Sequence, residues 1–553
     1  MTSARQTRVQ EHAYERRWSI LAVLCLSLLI IVLDNTVLNV AIPTIVRDLE
    51  ATNSQLQWMV DSYVLVFAGL LLTAGALGDR FGRVGALQLG LVVFGLGSLA
   101  AAMSDSSTQL IATRAFMGVG GAFIMPATLS IITVVFPVEE RGKAIGVWAG
   151  TAGLAAVLGP LLGGFLVEHF SWGSVFLINV PIVIVGLVAG VFLIPTSKDP
   201  AAPKLDPVGA GLSIAGLVAL LYGIIEAPQE GWTDPTILAA LGLGLVILGC
   251  FLAWELRSEH PMLDIHFFRN PRFSAASCSI MLVFFSMLAF SFLVTQYFQF
   301  VLGYSPAMTG LAFLPAAAAM LILAPLSARF VSRFGSKLVV SVGLVLTSVG
   351  IGLVATVQVD SSYFAVLGPM VVMMIGVAIT MAPATESIMG SLPLAKSGVG
   401  SAVNDTTREL GGALGIAIIG SLLTSVYATK VGDFLDGKPI PTPVKDQIEQ
   451  SLGYALAVGK RGFPELVDVA KSAYVDGMHV GLLVAAVVAM IGALVSLVWL
   501  PARAAPVAEE PEPAANGATT DAGYGPIPGT GADVSGNGAT RPPGTPDPAT
   551  AER

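Results

Sequence analysis

Long apolar runs broken by short polar segments make up most of the chain. Fourteen such runs can be placed, centred near residues 30, 66, 95, 122, 155, 184, 216, 245, 288, 319, 348, 376, 414 and 489. A helix of about 20 apolar residues crosses a hydrocarbon core of roughly 30 Å, so the pattern predicts fourteen transmembrane helices. The first run follows Arg5, Arg8, Arg16 and Arg17. Its apolar stretch, 19–40, is too long for a signal-peptide core and is read as a retained first helix.

The basic residues give the helices an orientation. With the N-terminus on the cytoplasmic side, 20 of the 29 Lys and Arg fall in inner segments, seven in outer segments, and two, Arg114 and Arg408, within spans. Six of the seven outer ones share one long loop, 429–477. Cytoplasmic loops carry such an excess, and a missed helix would invert every loop beyond it. Both termini are therefore expected to be cytoplasmic, in a multi-pass protein of the cytoplasmic membrane. Trp18, Trp58, Trp172, Trp232, Trp254 and Trp499 fall near predicted helix ends, where an indole favours the membrane interface. Trp148 lies about one turn inside its span and fits this placement least well.

The spacing of the runs predicts an inner N-terminal segment (1–17), a first six-helix bundle (18–195), an inserted two-helix linker (196–272) and a second six-helix bundle (273–500). A disordered inner tail rich in Pro, Ala and Gly (501–553) follows. Within the 429–477 loop, Ile448, Leu452 and Leu456 recur at helical spacing, so short surface helices are expected there. A weak repeat relates the two bundles. The segment 75–83 reads GALGDRFGR and the segment 328–336 reads ARFVSRFGS, each after the second helix of its bundle. Arg-Phe-Gly recurs in both, but Ser332 stands where the first copy has Asp79. Parallel repeats with a site at their interface are characteristic of transporters.

Composition narrows the class. Hydrophobic residues make up 54% and charged residues 12%, against roughly a quarter charged in soluble domains. Disorder of the whole chain and a disulfide-stapled fold are excluded. The net charge of −8 argues against nucleic-acid binding, which relies on clustered basic charge. No Walker motif is present, so neither a bound nucleotide nor an enzymatic ATPase activity is expected. Cys25, Cys250 and Cys278 lie in apolar runs and read as packing residues.

The informative residues are the few charges inside the runs, because burying one costs at least about 2.5–3.5 kcal/mol on insertion scales. Asp34 lies in the outer half of the first helix, and Asp61 near the outer end of the second. Arg114 lies in the fourth and stays charged at any workable pH, so it needs a partner. The thirteenth helix carries Asn404, Asp405, Arg408, Glu409 and Gly412. Asp405, Arg408, Glu409 and Gly412 follow i, i+3, i+4, i+7 and share one face, which should look onto a polar cavity. The fifth helix, with Gly153, Gly159, Pro160, Gly163 and Gly164, contributes mechanics: Gly159 and Gly163 have the small-xxx-small spacing of close helix contact, and Pro160 removes a backbone hydrogen bond and kinks the helix.

Together these motifs resemble the major facilitator superfamily, and within it the fourteen-helix drug–proton antiporters of the EmrB/QacA type. Residues 75–83 are similar to the superfamily's loop between helices 2 and 3, 114–121 to its helix 4 proton-related motif, and 153–164 to its helix 5 antiporter motif. Residues 33–43 and 381–415 are similar to stretches of the fourteen-helix exporters. The loop departs after Arg83, where Val84 and Gly85 replace further basic residues. The resemblance implies an all-α fold of two six-helix bundles plus an inserted hairpin, working by alternating access. It implies efflux of hydrophobic or cationic small molecules, driven by the proton gradient without a cofactor or metal. Asp34, Asp61, Arg114, Asp405 and Glu409 would couple protons. Asp34, Asn404, Asp405, Arg408 and Glu409 would line the substrate cavity. Gly75, Gly78, Asp79, Arg80, Gly82 and Arg83 would form a cytoplasmic gate. A dedicated exporter of one metabolite or lipid, and a passive channel or sensor, are the competing readings.

Overall fold

A computed structural model describes residues 14–49, 53–197, 206–460 and 462–502. Most of the expected N-terminal segment, part of the linker (198–205) and nearly all of the tail lie outside the described residues, as does the side chain of Pro160. Among the described residues the chain is helical throughout, with fourteen long helices. These are α1 (Arg17–Leu49), α2 (Asn53–Phe81), α3 (Arg83–Ala102), α4 (Ser107–Val135), α5 (Val138–His169), α6 (Asn179–Leu193), α7 (Pro207–Glu230), α8 (Pro235–Glu255), α9 (Pro271–Gln296), α10 (Pro306–Phe334), α11 (Ser336–Val354), α12 (Tyr363–Met389), α13 (Ser397–Leu435) and α14 (Pro464–Trp499). Thirteen, α6 counted together with the short helix Ser174–Leu177 before it, are long and apolar enough to cross a membrane. The other, α5, lies packed along both α1 and α10.

Local chemistry sets many of the helix starts. Asp206, Asp234, Asn270 and Ser305 accept hydrogen bonds from the first-turn N–H groups of α7, α8, α9 and α10, and each is followed by proline at the first helical position. Such caps satisfy donors that the helix leaves unpaired. Gly82, at φ 123°, supplies the backbone turn between α2 and α3, a conformation that side-chain-bearing residues rarely adopt.

The non-spanning part of the expected outer loop is shorter than 429–477, because α13 continues to Leu435 and α14 begins at Pro464. Two short helices fill the gap, Thr442–Gln450 and Leu452–Lys460. Ile448, Leu452 and Leu456 are their buried face.

The end that carries residues 75–83, expected to be cytoplasmic, is here called the inner end. The two halves share a single apolar core toward this end, where Ala144, Ile145 and Trp148 join Met320, Ala324, Met389 and Val399. The outer part of the second half has its own core, built from residues 285–486. Cross-half packing runs along two seams, α5 with α10 and α2 with α13. The inserted helix α7 lies over the second seam, where Leu221 meets Leu65, Ala68, Leu410 and Ala413. Trp58 stacks on Tyr222, and Trp232 Nε1 donates to Ser421 Oγ at 2.8 Å. α8 packs mainly on α7 and leaves Leu238, Leu243, Leu245 and Val246 exposed, as a lipid-facing helix does.

Candidate functional site

In the first half, the site centres on Asp34. Its Oδ2 pairs with Arg114 Nη1 in a fully buried contact, and its Oδ1 accepts from Asn179 Nδ2 at 3.0 Å. Arg114 also donates through Nε to the Met59 carbonyl at 3.0 Å and through Nη2 to Asn35 Oδ1 at 3.3 Å. Its guanidinium lies 4.4 Å from the centre of the Tyr63 ring. Helices α1, α2, α4 and α6 thus converge on one carboxylate. A buried ion pair holds together only when further hydrogen bonds satisfy both partners, and here they do. Asp61 is buried on α2 beside Met59 and Tyr63.

In the second half, the α13 charges divide. Asp405 and Arg408 are buried and lie 3.6 Å apart, whereas Glu409 is half-buried. Asn404 Nδ2 donates to Asp405 Oδ1 at 3.1 Å, Thr385 donates to Asn404 Oδ1 at 3.1 Å, and Arg408 Nη2 donates to Thr385 Oγ1 at 3.2 Å. Arg408 also faces two rings, Trp148 of α5 at 4.9 Å and Phe284 of α9 at 5.3 Å. A cation over a desolvated aromatic face is stabilised by about 2 kcal/mol. Asp405 Oδ2 and Arg408 Nε are buried with no hydrogen-bond partner among the described residues. Gly412 lies against Leu288 of α9.

Two aromatic residues join the halves. Trp148 meets Arg408 across the seam and donates to Thr128 Oγ1 at 3.2 Å. Tyr63 lies within electrostatic reach of Asp34 and Arg114 on its own side and of Glu409 on the other. Neither was singled out by sequence as a site residue. Trp148 did carry a weak signal, as the tryptophan that fits a helix-end placement least well.

At the inner end, Asp79 is buried and pairs with Arg83. It also accepts from the backbone N–H groups of Gly398 at 2.9 Å and Val399 at 3.1 Å, at the start of α13. A carboxylate at a helix N-terminus is stabilised by the helix dipole. Arg83 Nη2 donates to the Leu394 and Ala395 carbonyls at 2.7 and 3.0 Å. A methyl at Gly75 would meet the Gly398 carbonyl oxygen at 2.5 Å, so the seam closes only because Gly75 has no side chain. A methyl at Gly78 would meet Ala86 at 3.4 Å. Arg80 lies over the ring of Phe81.

The α5 glycines serve two different neighbours. Gly153 lies against Met320 of α10, while Gly159 and Gly163 lie against Thr36 and Val37 of α1; Gly164 meets nothing within 4 Å. The seam with α10 extends further than the motif, through Gly142, Gly146 and Gly150, which pack on Ala328, Ala324 and Leu321.

The chain matches the Major Facilitator Superfamily over residues 24–416. It belongs to that superfamily. It is 35% identical to the multidrug efflux pump LfrA of Mycolicibacterium smegmatis, over 87% of this chain and 95% of that protein. It is 32% identical to the tetracenomycin C resistance and export protein of Streptomyces glaucescens, over 87% and 91%. It is 36% identical to the methyl viologen resistance protein SmvA of Salmonella typhimurium, over 75% and 84%. Among solved structures, the proton:xylose symporter XylE matches with a TM-score of 0.56 at 14% identity, covering 88% of this chain and 96% of that one. The major facilitator fold is thereby shown, with the inserted hairpin α7–α8 between its halves. Family and fold make the chain a multi-pass membrane transporter rather than an enzyme, acting on small molecules.

Proposed function

We propose that this chain exports drugs or other amphipathic, often cationic, small molecules across the cytoplasmic membrane in exchange for protons. The observation that carries this reading is the buried Asp34 carboxylate, held by Arg114 and Asn179, with Tyr63 within electrostatic reach both of it and of Glu409 in the second half. The names of the relatives support the substrate class: a multidrug pump, a methyl viologen resistance protein and an antibiotic exporter.

In this account the molecule adopts a state with its inner end shut by the Asp79–Arg83 clasp. A proton arriving from outside neutralises Asp34 and frees Arg114, which is then left buried without its counter-charge. That imbalance lowers affinity for a cationic substrate and drives its release to the outside. Return of the proton to the inside resets the carrier. Asp61, Asp405 and Glu409 extend the proton-binding set, and Asn404 and Arg408 complete the polar wall of the cavity. No bound cofactor takes part. Moving one charge across the membrane is worth about 2.3 kcal/mol per 100 mV, enough for one proton to support a substantial substrate gradient.

The test is proton-driven dye efflux in everted vesicles. Asp34→Asn is expected to abolish the gradient-dependent component, and full activity would exclude Asp34 from coupling. The similarity to a tetracenomycin exporter supports a second reading, a carrier dedicated to one compound. Competition by many unrelated inhibitors in the dye assay favours the multidrug reading, and competition by a single chemical series favours the dedicated one.

A further inference from the structure

The internal repeat leaves an asymmetry that the structure resolves. The first copy places Asp79 on the α2/α13 seam, while the second places Ser332 at the matching position on α10. Ser332 does not reach across: its hydroxyl donates to the Arg329 carbonyl in its own helix. Yet the two seams are built alike. Gly75 of α2 closes on Gly398 of α13, and Ala328 of α10, at the matching place in the repeat, closes on Gly142 of α5. On the first seam, a methyl at Gly398 would lie 2.7 Å from Asp79 Oδ1. On the second, a methyl at Gly142 would lie 2.5 Å from Glu386 Oε2 and 3.3 Å from Ala328. A carboxylate therefore occupies the same place on both seams, but on the second it is supplied by α12 instead of α10.

The counter-charges are in place as well. Arg141, next to Gly142 on α5, is buried, and its Nε has no hydrogen-bond partner among the described residues. Arg272, at the start of α9, donates to the Gly390 carbonyl that ends α12, one turn beyond Glu386. The charges that act on Glu386 are these two guanidiniums, and Arg141 is also near Glu139 of its own helix. Arg141 belongs to the first half and Arg272 to the second, so Glu386 has one counter-charge that stays with it and one that leaves when the halves part. Asp79 is arranged in the same way, with Arg83 on its own half and the α13 backbone on the other.

We propose that Glu386 is the acid of a second clasp on the inner gate, holding the α5/α10 seam shut as Asp79 holds the α2/α13 seam. The inference rests on the alternating-access reading. It adds that the gate is latched on both sides by different devices, so that neither latch alone closes the inner end.

The test uses full-length protein in lipid nanodiscs, with the three native cysteines replaced and spin labels at Leu89→Cys and Leu338→Cys. These positions are exposed near the inner ends of α3 and α11. Pulsed electron resonance reads the distance between the halves. Glu386→Gln is expected to raise the ratio of long to short inner-end distances about tenfold, equivalent to a coupling of about 1.4 kcal/mol. Arg141→Gln should do the same with the carboxylate left in place, because it removes the counter-charge that departs with the first half, and it decides the matter if Glu386→Gln does not fold. Wild-type distances in both variants, with Asp79→Asn lengthened, would overturn the second clasp and leave alternating access standing. If Asp79→Asn also leaves the distances unchanged, the assignment of the Asp79 contacts to an inner gate falls with it.

Discussion

Replacing Asp79 by Asn separates the contacts that close the inner gate from those that merely stabilise the fold. Asp79 holds Arg83, which lies at the start of α3 in its own half, and the N–H groups of Gly398 and Val399 in the other half. Only the last two are lost when the halves part, so only they weigh on the balance between closed and open. An asparagine keeps one carbonyl oxygen and can retain one of the two bonds. The variant therefore loses about one charge-assisted hydrogen bond, about 1.5–3 kcal/mol, and a charge at the α13 N-terminus, about 0.3–1 kcal/mol. Together these come to about 2–4 kcal/mol, which shifts the open-to-closed ratio by about thirty- to several-hundredfold. Ser130 reports on this shift. Its hydroxyl meets Ser397 Oγ at 2.7 Å across the halves and is buried. With Ser130→Cys in an otherwise cysteine-free protein, alkylation by a reagent in the medium, which bathes the inner end in everted vesicles, should accelerate by that factor in Asp79→Asn. An unchanged rate in a correctly folded variant would refute the assignment of these contacts to the gate.

Arg114→Ala leaves Asp34 buried and unpaired, which costs about 3–5 kcal/mol. It should lower the thermal midpoint sharply, and adding Asp34→Asn should recover much of the loss; additive effects in that cycle would contradict the pairing. Gly159→Ala forces a methyl into Thr36, an overpacking of about 1–3 kcal/mol, whereas Gly164→Ala meets nothing within 4 Å. Transport should fail in the first and persist in the second. Trp148→Leu removes the ring that faces Arg408 and should weaken substrate affinity in dye-binding titrations, while Trp148→Phe keeps a face for the cation and should weaken it less.

How much of this was legible beforehand depended on whether the signal was local. Fourteen apolar runs and the charges within spans are properties of short windows, and the helices appear where the windows place them. The partners of those charges are not. Asp34 and Arg114 stand 80 residues apart and Asp79 and Gly398 stand 319 apart, so their pairing follows from packing alone. The α13 face was read as one polar surface, but its residues divide, because Arg408 turns into the seam toward Trp148 while Glu409 stays half-buried. Glu386 stood in a motif without a role, since its function depends on what lies opposite, Gly142 of α5. The absence of an acid at Ser332 was visible in the repeat; its replacement from α12 was not.

The central claim is that Asp34 couples substrate export to proton movement. Its most direct test is purified protein in proteoliposomes holding a pH-sensitive dye, with a transported cation such as methyl viologen imposed as a gradient and no pH gradient at the start. The account predicts proton flow opposite to the substrate in the wild type, and none in Asp34→Asn. Undiminished substrate-driven proton flow through Asp34→Asn, or substrate movement by the wild type with no proton flow, would contradict it.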